Sequence, residues 1–263
     1  MKTLIKINQR IMMVVLFALA LTLISWHTVP VTVLAADTEQ TIFNCESNKA
    51  AVEKCFIAMF ENNISEAKIV FPDGIEQGKL RALAASAYRD ARYSNPEIAN
   101  YTLYNCGLSV GQQSNGETYC KVRLTKLENA YERKAEAINK AQAFLDQLYA
   151  KGIINQDMPE YDRAKLIANN LRKIITYEIK DDYSTTAWSA FSRGTATCQG
   201  YTSAYNLVLK LDGIQCKGIA GKTSQGSHMW TVAILDNNEY HIDITWGINA
   251  GIGEQEMTNR HNQ

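Results

Sequence analysis

The tightest constraint on the fold lies near the C-terminal end of the chain. Ser227–Leu235 and Glu239–Trp246 are two runs rich in β-branched, aromatic and alternating residues. Between them, Asp236-Asn237 can make a two-residue hairpin turn. A turn that short fixes the register: Leu235 faces Asn238, and Trp230 faces Asp243. His228 lies two positions from Trp230 and on the same face. His228 and Asp243 thus become diagonal neighbours, about 7–8 Å apart between α-carbons. An Asp carboxylate can reach an imidazole nitrogen across that gap. The hairpin therefore predicts a base and the group that orients it.

A partner for that base lies upstream. Ser192-Arg193-Gly194-Thr195-Ala196-Thr197-Cys198-Gln199-Gly200-Tyr201 reads as a Gly-containing turn leading into an apolar helix through Leu211. Thr197 is a candidate N-cap, which puts Cys198 in the first turn. The helix dipole and unpaired N–H groups there favour thiolate over thiol and can stabilise an oxyanion. The competing reading of Cys198 is a small apolar residue packed at a helix start.

His241 shares the hairpin face and is the rival base. It sits near the turn, however, whereas His228 follows the loop Lys222-Thr223-Ser224-Gln225-Gly226 at the open end of its strand. Reactive groups concentrate at strand ends beside loops, so His228 is preferred and His241 reads as a half-buried strand histidine.

These segments together resemble the bacterial transglutaminase-like superfamily. The resemblance rests on Thr197-Cys198-Gln199-Gly200-Tyr201, a Gly-Ile-x-Cys strand ending at Cys216, His228-Met229-Trp230, and Tyr240-His241-Ile242-Asp243-Ile244-Thr245-Trp246, in that order. It covers roughly residues 185–247. It implies an α+β, papain-like core in which a helix bearing the Cys packs on an antiparallel sheet bearing His and Asp. It also implies Cys198 as nucleophile, His228 as base and Asp243 as orienter, with no metal or organic cofactor. Gln199, Tyr201, Trp188 and Trp246 are candidates for lining the site, with core packing the competing role of each. The family often has Asp-Pro-Thr-Trp where this chain has Asp243-Ile244-Thr245-Trp246, so a rigid turn is missing.

The rest of the chain frames this module. Lys2, Lys6 and Arg10 precede an apolar run from Ile11 to Ile24, and small residues follow at Ala35 and Ala36. That pattern predicts a cleaved export signal over residues 1–36; the run is short for a membrane anchor. The signal holds three positive and no negative charges. The whole chain, with 27 of each sign, thus becomes a mature protein of net charge −3. Such a balance argues against a strongly basic nucleic-acid binder. Residues 37–127 predict a small accessory α/β domain: helices over 44–61 and 77–92, a strand at 67–71, and a hairpin formed by 101–112 and 117–126. Residues 128–263 predict the transglutaminase-like domain, entered through helices over 127–151 and 161–175.

Export brings the six cysteines into a compartment where disulfides persist. Local pairing predicts Cys45 with Cys55 and Cys106 with Cys120, a crossed pairing being the alternative. Cys216 reads as a buried structural thiol. The chain holds no Cys-x-x-Cys pair, which argues against a thiolate zinc site.

The expected function is thus an exported or cell-surface thiol acyl-transfer enzyme. It would act on amide bonds of protein or peptide substrates, with cell-wall peptide as one class. A cysteine peptidase or amidase on the same scaffold is the enzymatic alternative. A non-catalytic binding or scaffolding module is the other.

Overall fold

The computed structural model describes residues 41–224 and 226–252; the expected signal segment lies outside them. The chain begins with β1 (Thr41–Asn44), α1 (Lys49–Glu61) and β2 (Glu66–Phe71), a β-α-β unit whose two strands are parallel. Next come α2 (Gln77–Ser94), the short α3 (Pro96–Ala99), and the hairpin of β3 (Thr102–Gln112) and β4 (Thr118–Lys126). The strands form one sheet in the order β1-β2-β4-β3. Phe43, Phe56, Met59, Ile69, Phe71 and Leu80 form the centre of its core.

The expected helix over 44–61 starts later, and a strand precedes it. Asn48 is the reason: its side chain accepts a hydrogen bond from the Ala51 N–H at 2.9 Å and caps α1. Upstream of that cap the backbone is free to pair with β2, and the Cys45 N–H continues the pairing to the Val70 carbonyl.

All six cysteines are free thiols, which corrects the expected disulfides. The hairpin register explains the second pair. It sets Cys106 opposite Leu124 and Cys120 opposite Val110, so the two cysteines are offset along the ladder by four residues. Cys45 and Cys55 lie side by side as thiols. Cys216 is a structural thiol as expected: it donates to the Asn206 carbonyl, and burial pushes its pKa up to about 12.

The second half is built around one helix. α4 (Ala130–Ala150) and α5 (Glu160–Leu171) lead to β5 (Thr176–Tyr177), a 3₁₀ turn (Asp182–Thr185), a π turn (Ser189–Arg193) and β6 (Thr195–Ala196). α6 (Cys198–Leu211) follows, then β7 (Cys216–Thr223), β8 (Gly226–Leu235), β9 (Asn238–Asp243) and β10 (Ile248–Ile252). The last four form an antiparallel sheet in the order β10-β9-β8-β7. Every residue of α6 from Gly200 to Leu209 is buried. Such a helix can carry polar side chains only if each finds a partner. Thr202 donates to the Cys198 and Met229 carbonyls, Ser203 to Gln199 and Thr185, and Tyr205 to the Ala164 carbonyl at 3.0 Å. Tyr205→Phe is expected to cost about 1 kcal/mol in chemical denaturation, the net value of one buried hydrogen bond. No loss on that change would show the bond to be dispensable.

The described residues form one compact unit containing both hydrophobic clusters. The two halves meet across α6 and β7. Gly218 lies so close under α2 and α3 that a Cβ there would come within 2.3 Å of the Tyr93 carbonyl. Lys210 pairs with the buried Glu97, and Asn100 donates to the Thr185 carbonyl at 2.7 Å. Among the described residues, no helix is long and apolar enough to cross a membrane.

Candidate functional site

The start of α6 is set by its neighbours. Gly194 takes a left-handed φ of 69° and ends the π turn. β6 then pairs in parallel with β5. Thr197 is extended and stands at the N-cap position, but its side chain does not cap the helix as expected. Its N–H and hydroxyl both donate to the Ser184 carbonyl, at 2.8 and 3.1 Å. That double bond to a buried turn ties down the chain one residue before Cys198. Cys198 is then the first helical residue, half-buried, with the N–H groups of the first turn lacking intrahelical acceptors.

The β8–β9 hairpin has the register read from its turn. Leu235 pairs with Asn238 and Thr231 with Ile242, while Asp236 and Asn237 carry φ of 50° and 65°. The diagonal contact forms: His228 Nε2 lies 2.7 Å from Asp243 Oδ2. The other carboxylate oxygen of Asp243 accepts the Thr245 and Trp246 N–H groups at 2.9 and 3.2 Å. This Asx-type turn holds the chain where the resemblance led us to expect a proline. It also brings Trp246 against His228, with ring centroids 5.0 Å apart.

With Nε2 committed to Asp243, Nδ1 is the ring nitrogen left to the Cys198 thiol, which lies within hydrogen-bonding reach of His228. His228 is 7% exposed and Asp243 fully buried. Burial alone pulls the imidazole pKa down. The hydrogen bonds to Asp243 and Cys198, with their charges, outweigh it and push the pKa up to about 9. A raised histidine pKa stabilises the fold while the ring is protonated. The contribution is whole below the ordinary value near 6.5 and is lost as the pH rises through about 9. The difference in Tm between wild type and His228→Gln is therefore expected to shrink across that window. A constant difference would contradict the assignment.

Cys198 and His228 open into a cavity of about 330 Å³, also lined by Tyr177, Ser227, Thr245 and Trp246. Of the residues proposed to line the site, Trp246 does so. Trp188 does not: its indole N–H donates to Glu136 at 2.6 Å, and Arg133 and Arg193 lie over the ring. Tyr201 is core, its hydroxyl bonded to the Ile175 carbonyl at 2.6 Å. Gln199 is half-buried in the first turn of α6 and is not part of the cavity wall. Tyr177, Ser227 and Thr245 were not singled out from sequence. Ser227 adjoins the loop flagged beside His228, and that was the available signal. Among the described residues, no cluster of His, Cys, Asp or Glu could hold a metal ion.

Residues 147–243 match the model of the transglutaminase-like superfamily, a span that contains Cys198, His228 and Asp243. This part of the chain is transglutaminase-like. The transglutaminase-like core is of the α+β, papain-like type, a scaffold that carries cysteine enzymes. Solved structures similar to the chain include the following two. One is the crystal structure of a TGase, with 15% identity over 75% of this chain and 56% of that one, at a TM-score of 0.38. The other is described as a candidate protease from Parabacteroides distasonis, with 13% identity over 67% of this chain and 40% of that one, at a TM-score of 0.29. The chain thus spans little more than half the length of the first and less of the second, and at these TM-scores neither bears on its activity. No curated protein sequence matches the chain.

Proposed function

We propose that the protein is an exported thiol acyl-transfer enzyme with Cys198 as nucleophile, His228 as base and Asp243 as orienter. The observation that carries this reading is the 2.7 Å contact of His228 with Asp243, which leaves Nδ1 for Cys198 at the mouth of an open cavity. His228 takes the Cys198 proton, giving a thiolate–imidazolium pair. The thiolate attacks an amide carbonyl, and the N–H groups of the first turn of α6 receive the oxyanion. The imidazolium returns its proton to the leaving ammonia or amine, and a thioester remains on Cys198. A second amine resolves it to a crosslink, or water resolves it to an acid. Protein or peptide is the substrate class, with the cell surface or cell wall suggested by the expected leader.

The test is alkylation by iodoacetamide at pH 6.5, mapped by peptide mass. Cys198 is expected to label at least about tenfold faster than glutathione, and His228→Ala to return it to the glutathione rate. Labelling of Cys198 at the glutathione rate in wild type would sink the proposal. Adding a glutamine-containing peptide and a fluorescent primary amine separates the outcomes: dye incorporation marks a transferase, ammonia or new N-termini without dye a hydrolase.

A further inference from the structure

His241, the rival base in the sequence, makes a contact that the proposed reaction does not use. It lies two residues before Asp243 on β9, and Trp230 lies two residues after His228 on β8. The Trp230 indole N–H donates to His241 Nδ1 at 2.9 Å. Both side chains are buried, at 6% and 3% exposure. An indole nitrogen can only donate, so Nδ1 of His241 must be bare and its ring proton must sit on Nε2. Glu239, a strand neighbour, has its carboxylate 3.8 Å from that Nε2.

The bond fixes more than His241. The outer edge of the Trp230 ring lies against Gly221, where a Cβ would come within 2.6 Å of it. It also stacks on His228, with centroids 6.2 Å apart and planes 24° from parallel. The contact with Asp243 fixes Nε2 but not the tilt of the ring about the Nε2···Oδ2 line, which the planes packed against it, Trp230 and Trp246, limit. A Trp230 plane held in place by His241 narrows that tilt further. Nδ1 then stays aimed at Cys198.

We propose that neutral His241 is a positioning residue: by holding the Trp230 indole against His228, it keeps the imidazole plane in line with the Cys198 thiol. The proposal rests on the thiol-enzyme reading above. It assigns His241 a task other than that of a base.

The test compares the rate of Cys198 alkylation by iodoacetamide, as a function of pH, in wild type, His241→Leu, His241→Asn and Trp230→Phe. Thermal unfolding is measured alongside. His241→Leu removes the acceptor. Its rate at pH 6.5 is expected to fall about tenfold and to rise more steeply with pH. His241→Asn keeps an oxygen near the position of Nδ1 and is expected to recover most of the rate. Trp230→Phe removes the donor and is expected to show the same altered profile, and adding His241→Leu to it should change nothing further. A purely structural role would lower Tm in these variants and leave the pH–rate profile alone. A folded His241→Leu with the wild-type profile overturns the proposal. If His241→Leu does not fold, Trp230→Phe decides by the same criterion. Wild-type labelling at the glutathione rate would instead overturn the enzyme reading itself.

Discussion

Replacing His228 by alanine is expected to lower acyl transfer at Cys198 by at least about 10⁴-fold, because nucleophile and base act as one unit. Two effects combine. Without the imidazole nothing takes the thiol proton before attack, and nothing returns a proton to the leaving amine. The fully buried Asp243 also loses its nearest partner, although its second oxygen keeps the Thr245 and Trp246 N–H groups. His228→Gln is the better control for folding, since a side-chain amide can still donate to Asp243 while offering no base. Equal losses in the two variants would assign the effect to proton transfer. Full activity in His228→Gln would show that His228 has no part in proton transfer.

The second large effect is expected at Gly200, two residues into α6. A Cβ there would stand 2.5 Å from the Ser184 carbonyl oxygen and 2.7 Å from the Ala196 Cβ. Neither neighbour can withdraw. The Ser184 carbonyl already accepts the Thr197 N–H and hydroxyl, and its own hydroxyl accepts the Lys180 and Asp181 N–H groups. Gly200→Ala must therefore push the start of α6 away from the 3₁₀ turn. Overpacking of this kind costs about 2–3 kcal/mol. In a protein of this size that is a fall of about 5–10 °C in Tm. Because the displaced turn carries Cys198, the alkylation rate is expected to fall with Tm. An unchanged Tm and rate would show that the backbone contact at Gly200 is soft.

Much of the site was legible because it depends on local rules. A two-residue turn at Asp236-Asn237 leaves one register, and from that register the His228–Asp243 contact follows. Cys198 at a helix start was legible from the glycine at 194 and the apolar run behind it. The capping of α6 was not, because Thr197 bonds a carbonyl 13 residues upstream rather than its own helix. The roles of the aromatic residues also depended on distant partners. Trp188 is held by Glu136, 52 residues away, and Tyr201 by the Ile175 carbonyl, 26 residues away. Tyr177 reaches the cavity through a two-residue parallel pairing of β5 with β6, too short to leave a periodic pattern. The pairing of Cys106 with Cys120 failed for a related reason. Proximity in sequence gives no register, and the ladder offsets Cys106 from Cys120.

The central claim is that Cys198 takes up an acyl group with the help of His228. A chromogenic activated ester, p-nitrophenyl acetate, tests it without a known amide substrate. Rapid mixing with wild type is expected to release one equivalent of nitrophenolate per chain in a burst. Mass analysis after an acid quench is expected to place one acetyl group on Cys198. Cys198→Ala should show no burst, and His228→Ala a much slower one. Release without a burst, or acetyl groups scattered over lysines with Cys198 bare, would contradict the account.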